Sequence, residues 1–341
     1  MARIGVGIIG NGMATRVFHV PYIQACDDLD LRAVVSRSGG EAPAAGVAIV
    51  PDVAALLADP AVQLVVVATP SGTHAALARQ AIEAGRHVVV EKPFTLDLAE
   101  ARELAALARA RGVVLSVFHN RRWDTDFLAV RAAIETGLVG RVVHFESHFD
   151  RFRPEVRERW REDGSPGSGV WYDLGPHLVD QALALFGRPE AVGADIAALR
   201  QGSGSPDWAH IVLRYRERRV ILHAGMCVAG GEPRFRVHGT GGSLVKRHLD
   251  PQEAQSVAGV RPGDAGWGVD PDPLIHIDGD GVERSIPAPR GSQERFYAMM
   301  AQACLGTGPA PAALDEIVAV QEVVEAALVS AREGRVVILP A

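Results

Sequence analysis

The sequence predicts two domains, an α/β domain with a doubly wound parallel sheet and an α+β domain with an open, mainly antiparallel sheet. Three observations predict this. An apolar strand at the N-terminus leads into a glycine-rich turn and a helix, and short apolar strands then alternate with helices up to about residue 118. Beyond residue 137 the strands become longer and alternate in polarity. We therefore place the domains at residues 1–121 and 122–341.

Composition excludes several classes of protein. Hydrophobic residues make up 48% of the chain and charged residues 22%, which is ordinary for a globular protein. The net charge of -6 offers no basic surface for nucleic acid, and no apolar run is long enough to span a membrane. The N-terminus runs directly into a strand without a cleavage site, so we expect no signal peptide.

The cysteines and histidines indicate neither disulfides nor a metal site. Cys26, Cys227 and Cys304 are widely separated and odd in number, which favours a reducing cytoplasm. The twelve histidines include no H-E-x-x-H motif, so we expect no bound metal.

The first strand, residues 2–9, ends in a glycine turn typical of a dinucleotide site in a Rossmann domain. Gly10 permits the tight turn, and Gly12 lets the backbone approach a pyrophosphate at the helix N-terminus. Ala14 and Thr15 replace the third glycine of the fingerprint with small residues. The predicted contacts of this turn with the cofactor are Gly10, Gly12, Met13 and Ala14.

The end of the second strand, residues 31–35, indicates which dinucleotide is bound. An NAD site usually has an acidic residue here for the ribose hydroxyl, whereas this chain has Ser36, Arg37 and Ser38. An arginine and two hydroxyls suit a phosphate, so we predict NADP in preference to NAD. In the alternative, Arg37 is an ordinary surface residue and Glu41 serves the ribose.

A third strand, residues 63–68, is followed by a polar turn and a helix that runs to Ala84, with Ser71 or Thr73 as its cap. His74 can contact the cofactor or be a satisfied helix residue, and the sequence leaves both open. The predicted cofactor contacts in this turn are Thr69, Pro70, Ser71 and His74.

The fourth strand, residues 87–90, leads into Glu91, Lys92 and Pro93, where ligands bind in an open α/β sheet. We predict that Glu91 and Lys92 contact the cofactor and that Lys92 faces a substrate hydroxyl. The alternative is a surface ion pair at the end of a strand. Asp97 caps a helix over 98–111, and residues 113–118 form a fifth strand.

The second half of the chain reads as a sheet with helices on one face. The predicted strands are 141–149, 191–197, 210–215, 219–226, 234–238, 243–245 and an edge strand at 336–339; the predicted helices are 126–135, 292–305 and 314–332; and residues 259–273 read as a surface loop.

Two stretches of this half carry candidate chemistry. Asp150 and Arg153 follow the long strand directly, although most charges between 150 and 161 are typical of a solvated face. Asp173 and His177 lie four residues apart and share a helix face, so the carboxylate can orient the imidazole. Pro176 is expected in the first turn of this helix. The alternative is a capping role for Asp173 and a packed His177.

These residues suit the oxidation of a secondary alcohol. Lys92 can stabilise the developing alkoxide, His177 can accept the hydroxyl proton, and Asp173 can orient His177. A polar set around them suits a polyhydroxylated substrate and comprises Asn120, Arg122, Asp150, Arg153 and Trp171.

With these motifs the chain resembles the Gfo/Idh/MocA oxidoreductases. The resemblance rests on Gly10-Asn11-Gly12, Thr69-Pro70 with His74, Glu91-Lys92-Pro93, and Asp173 with His177. Within the family, 118–123, 145–154 and 171–180 are most similar to a branch that includes NADP-dependent scyllo-inositol dehydrogenases. The resemblance implies that Lys92, Asp173 and His177 are catalytic, that Ser36 and Arg37 suit NADP, and that the chain forms a homodimer or homotetramer through the open face of its second sheet.

Two departures and two alternatives accompany the resemblance. The third glycine is absent, and Ser71 stands where the family often has Asn. The substrate can instead be an aldose or a small carbonyl compound. A non-catalytic nicotinamide sensor would be expected to lose the lysine or the histidine, and both are present here. The motifs encode neither the stereochemistry of the substrate nor the physiological direction of the reaction.

Overall fold

The computed structural model describes residues 3–37, 39–231 and 233–340. The chain forms two compact units, and both are discontinuous in sequence. The first unit comprises Met1–Asn120, Gln252–Trp267 and Ser292–Val318, and the second comprises Arg121–Pro251, Gly268–Gly291 and Ala319–Ala341. The single boundary at 121/122 therefore misses two segments that return to the first unit. The assignment of residues 1–121 to cofactor binding and 122–341 to substrate binding and oligomerisation stays a prediction.

A six-stranded parallel sheet forms the centre of the first unit, in the order β3-β2-β1-β4-β5-β6. This confirms the doubly wound Rossmann arrangement. Its strands are β1 (Ile4–Ile9), β2 (Leu29–Val35), β3 (Ala48–Val50), β4 (Val62–Val67), β5 (His87–Val90) and β6 (Leu115–Val117).

Helices cover both faces of such a sheet, which explains why its strands are apolar almost throughout. All six residues of β1 are buried, as are Val88 to Val90 of β5. Across the chain the α-helices are α1 (Val20–Gln24), α2 (Val53–Ala58), α3 (His74–Glu83), α4 (Leu98–Arg111), α5 (Thr125–Glu135), α6 (Val170–Phe186), α7 (Gln252–Val257), α8 (Arg295–Cys304) and α9 (Leu314–Glu333), and Thr15–His19 is wound as a π-helix.

Helix α4 illustrates how the sequence sets its own boundaries. The Asp97 side chain accepts hydrogen bonds from the backbone amides of Ala99 and Glu100, as its predicted capping role requires. Gly112 ends the helix in the left-handed conformation. The short strand β3 and helix α2 were missed because β3 has only three half-exposed or exposed residues, too few for a pattern to emerge.

The second unit contains a nine-stranded sheet in the order β14-β13-β12-β11-β7-β10-β9-β8-β15. Its strands are β7 (Val142–His148), β8 (Ala191–Ala197), β9 (Trp208–Arg214), β10 (Arg219–Gly225), β11 (Phe235–Gly239), β12 (Gly242–Lys246), β13 (Leu274–Asp278), β14 (Glu283–Ile286) and β15 (Val337–Ile338). All pairings are antiparallel except that of β10 with β7, so the predicted fold class is confirmed. Strands β13 and β14 were not predicted.

One face of this sheet packs against α5, α6 and α9. Phe127 of α5, Leu178 of α6 and Val324 of α9 join Phe145 and Leu222 of the strands in one core. Helix α6 begins earlier than predicted, so Pro176 lies inside the helix rather than in its first turn. None of the described helices has the length and apolar character that a bilayer crossing requires.

Candidate functional site

The two fingerprint glycines have different physical reasons to be glycine. Gly10 has φ +110°, and a Cβ there would lie 2.3 Å from the carbonyl oxygen of Ala68, so the fold itself requires glycine. A Cβ on Gly12 would meet no atom of the described chain within 4 Å. Thr15, which replaces the third glycine, donates a hydrogen bond to the Gly10 carbonyl at 2.8 Å. The turn therefore fits a dinucleotide, with Gly12 open towards it.

The loop after β2 presents Arg37 but not the Ser36 hydroxyl. Ser36 donates its hydroxyl hydrogen to the Gly39 carbonyl, whereas the Arg37 side chain is exposed. Ser38 lies outside the described residues. Asn11 and Arg16 both donate to the backbone carbonyl of Glu41, which brings this loop beside the glycine turn. Arg37 and Glu41 thus both remain candidates for the ribose end of the cofactor.

The loop after β4 is held by His74. Its Nδ1 lies 2.8 Å from the Pro93 carbonyl oxygen, and its Nε2 lies 2.9 Å from that of Thr69. The imidazole is only 1% exposed, which favours the structural alternative for His74 over direct contact with the cofactor. Ser71 is also buried, whereas Thr69 is half-buried and Pro70 exposed.

Glu91, next to Lys92, is enclosed by two partners. Its Oε1 lies 3.0 Å from His19 Nε2, and its Oε2 accepts a hydrogen bond from the Lys92 backbone amide at 3.0 Å. Burial alone would raise the pKa of the Glu91 carboxyl, but the hydrogen bond from His19 and the charge of Lys92 hold it below its ordinary value. The Lys92–Pro93 peptide bond is cis.

Lys92 is one of only two lysines in the chain. The other, Lys246, is fully buried and forms ion pairs with Asp270 and Asp272.

Asn120, the last residue of the first segment of the first unit, donates to Gln293 Oε1 at 2.8 Å and is 7% exposed. Its amide is therefore committed within the unit.

In the second unit, Asp173 lies in the first turn of α6, and His177 follows one turn later. Arg161 Nε lies 3.2 Å from Asp173 Oδ1, and Arg151 approaches Oδ2 at 3.8 Å. These arginines belong to the stretch whose charges the sequence predicts to lie mostly on a solvated face. They approach Asp173 only in the folded unit, so no pattern in the neighbouring sequence predicts this contact.

A shallow recess opens beside Asp173. Among the residues that line it are Arg159, Arg161 and Arg200, together with Glu162 and Asp207. Arg200 pairs with Glu162 and with Asp207, all three nearly fully buried, so the arginine charges are matched by carboxylates.

Two predicted substrate contacts are held by the second unit itself. Arg122 forms a bidentate pair with Asp180, with contacts of 2.7 and 3.0 Å, one turn beyond His177 on α6. Trp171 is 1% exposed and donates its indole hydrogen to the Val324 carbonyl. The indole is enclosed in the core, so we correct the assignment of Trp171 from substrate contact to packing.

Asp150 belongs to a histidine cluster at the end of β7. Its Oδ1 accepts from the Gly225 amide, and its carboxylate lies 3.7 Å from His148 and 3.5 Å from His223. Burial alone would lower the pKa of His148, but the carboxylate of Asp150 nearby and the hydrogen bond with Glu146 raise it above its ordinary value.

Arg153 is the more accessible of the two predicted residues. The side chain is half-buried. Burial and the neighbouring guanidinium groups of Arg151, Arg157 and Arg159 lower its pKa below the ordinary value.

Within 3–37, 39–231 and 233–340, no group of three or more His, Cys, Asp or Glu side chains is arranged to hold a metal.

A parallel sheet with a glycine turn after its first strand is the architecture of a dinucleotide-binding domain. The chain belongs to the Gfo/Idh/MocA oxidoreductase family. Residues 4–119 match its NAD-binding Rossmann fold, and residues 131–339 match its C-terminal alpha/beta domain. The protein is thus an NAD(P)-dependent dehydrogenase of this family.

Similar proteins cover the whole chain. The uncharacterised oxidoreductase YdgJ of Escherichia coli strain K12 is 46% identical over 97% of this chain and 97% of its own length. IolW of Bacillus subtilis strain 168, a scyllo-inositol 2-dehydrogenase (NADP+), is 37% identical over 98% of this chain and 96% of its own. A crystal structure of a protein described as an oxidoreductase from Klebsiella pneumoniae has a TM-score of 0.92 at 47% identity, covering 100% of this chain and 96% of that one.

Proposed function

We propose that the protein is an NADP-dependent dehydrogenase that transfers a hydride between the nicotinamide and a secondary alcohol of a cyclitol or sugar. The leading substrate pair is scyllo-inositol and scyllo-inosose. The observation that carries this proposal is the full-length similarity to IolW, at 37% identity. The segments that resemble the branch with NADP-dependent scyllo-inositol dehydrogenases are residues 118–123, 145–154 and 171–180.

The proposed catalytic residues are Lys92, Asp173 and His177. Bound NADP supplies the carbon that accepts the hydride of the carbinol C–H bond. His177 takes the hydroxyl proton, and the Lys92 ammonium stabilises the negative charge that develops on the oxygen. Asp173, held by Arg161 at 3.2 Å, orients the imidazole or accepts a hydrogen bond from a second substrate hydroxyl. The charges balance because the hydride leaves to the cofactor and the proton to His177.

The proposed cofactor site is built on the glycine turn and the loops after β2, β4 and β5. Support comes from the open space beside Gly12 and the exposed guanidinium of Arg37. No carboxylate stands at the end of β2, where it would repel a 2′-phosphate. The remaining proposed contacts are Gly10, Met13, Ala14, Ser36, Ser38, Thr69, Pro70, Ser71 and Glu91, and His74 serves by holding the loop after β4.

For the substrate we retain Arg153, because its half-buried side chain interacts electrostatically with the carboxylate of Asp173. Asn120, Arg122 and Asp150 are each bonded within their own unit, so we propose that they shape the binding site through those partners. We further propose that the protein assembles as a homodimer or homotetramer and that it works in a reducing cytoplasm. Free Cys26, Cys227 and Cys304 suit such a compartment.

The test is a set of initial rates with NADP and with NAD, each against scyllo-inositol, myo-inositol, glucose and xylose. We expect rapid NADP reduction with one cyclitol. Arg37→Ala should raise the KM for NADP roughly 10–100-fold, the worth of one charge-assisted hydrogen bond to a phosphate, and leave the KM for NAD nearly unchanged.

Other outcomes would contradict separate parts of the proposal. Faster turnover with NAD would make Arg37 an ordinary surface residue and favour Glu41 as the ribose contact. Turnover with glucose or xylose alone would show that the substrate is an aldose and not a cyclitol. No turnover on the panel, with NADPH still bound tightly, would contradict the substrate class.

A further inference from the structure

We propose that His19 and Tyr297 are positioning residues that hold Lys92 in place through Glu91. The inference rests on the proposed catalytic role of Lys92. A continuous chain of hydrogen bonds carries it. The Tyr297 hydroxyl lies 2.7 Å from His19 Nδ1, and His19 Nε2 lies 3.0 Å from Glu91 Oε1. Glu91 Oε2 then accepts from the Lys92 backbone amide at 3.0 Å.

The direction of each hydrogen bond follows from the groups involved. Burial, and then the charge of Glu91, raise the pKa of Tyr297 well above its ordinary value, so its hydroxyl carries a hydrogen that it can donate to His19 Nδ1. Accepting at Nδ1 leaves the imidazole hydrogen on Nε2. His19 therefore donates to Glu91, which stays ionised. Each carboxylate oxygen of Glu91 thus binds a different partner, and this fixes the rotation of the carboxylate.

The surroundings leave these side chains little freedom to move. The His19 ring lies 4.6 Å from the Phe118 ring, centroid to centroid, and its side chain is fully buried. His19 is the last residue of the π-wound segment that starts at Thr15, directly after the glycine turn. Such winding is rare and often marks functional positions. Tyr297 comes from α8, far along the chain.

A histidine that only satisfies the core has a different pattern of partners, and this unit provides an example. Both ring nitrogens of His74 face backbone carbonyls, of Pro93 and Thr69. Both ring nitrogens of His19 face side chains, and one of these is the residue that precedes Lys92 and binds its amide. Packing alone does not require an ionised glutamate at that point, whereas placement of Lys92 does.

Placement matters because catalysis depends on sub-ångström geometry, and a displacement of about 1 Å can cost roughly 100-fold in rate. We expect His19→Leu to lower kcat about 100-fold and Tyr297→Phe about tenfold, with the dissociation constant of NADPH changed less than about twofold. His19→Gln keeps an amide donor and should restore part of the lost kcat.

The matched control is Tyr215→Phe in the second unit. Tyr215 is also buried and donates its hydroxyl to one backbone carbonyl, that of Gly187, at 2.9 Å. The control should lose a similar amount of stability and keep its kcat. A second readout is amide hydrogen exchange of the peptide that contains Lys92, which should become faster in His19→Leu and stay unchanged in Tyr215→Phe.

Normal kcat in both His19→Leu and Tyr297→Phe would overturn the inference. A loss of kcat in Tyr215→Phe equal to that in Tyr297→Phe would also overturn it, because general destabilisation would then explain both. If the wild-type protein turns over no polyol, the proposed function fails separately. In that case unchanged exchange at Lys92 in His19→Leu overturns the inference, and faster exchange supports it.

Discussion

At the scale of single residues, Gly10 and Gly12 separate what the fold needs from what a ligand needs. A Cβ on Gly10 would lie 2.3 Å from a backbone oxygen, whereas one on Gly12 would meet no atom of the described chain within 4 Å. Gly12→Ala should therefore leave the melting temperature of the ligand-free protein unchanged. It should weaken NADPH binding by roughly 1–3 kcal/mol, the usual cost of a methyl group in an already close contact.

Thermal unfolding and NADPH titration check this expectation together. Gly10→Ala is the matched comparison and should lower the melting temperature without any ligand present. Unchanged NADPH affinity in Gly12→Ala would show that the backbone at Gly12 does not approach the dinucleotide.

Local motifs were predictable at this scale, and long-range partners were not. The glycine turn, the Asp97 cap and Glu91-Lys92 depend on neighbours in sequence, so their placement could be read from the chain. Trp171 shares a polar-looking stretch with Asp173, yet its partner is the backbone of Val324, more than a hundred residues later. Side chains of this kind reveal their roles only when distant segments meet.

At the scale of elements, α6 shows how packing overrides a local rule. Pro176 lies inside the helix, where proline is normally costly, and the buried apolar residues around it stabilise the helix through tertiary contacts. Gly175 is part of this packing, because a Cβ there would lie 2.6 Å from the Trp171 ring.

Gly175→Ala should therefore lower the free energy of unfolding by about 1–3 kcal/mol, since the buried indole cannot move aside. Urea denaturation measures this change. Gly279→Ala, at an exposed position where the added methyl has no described atom within 4 Å, is the control and should have almost no effect. Equal stability of the two variants would show that the core around Trp171 is loosely packed.

At the scale of the whole molecule, the order of elements was predictable, but the membership of the two compact units was not. Periodicity and turn residues predicted both sheets, because most strands carry their own pattern, although β3, β13 and β14 were not predicted. Segments 252–267 and 292–318 join the first unit through contacts that no periodicity encodes. The Ser116 hydroxyl donates to the Ala312 carbonyl, and Arg109 pairs with Asp315.

The central claim is that the protein is a dehydrogenase whose chemistry depends on Lys92. The most direct test compares the kcat of wild-type protein and Lys92→Ala for NADP reduction by the best cyclitol, with NADPH affinity measured in parallel. We predict that turnover falls by roughly 10²–10³-fold, as when a main electrostatic stabiliser is removed, while NADPH binding is largely retained. Near-normal turnover of Lys92→Ala would contradict the mechanism.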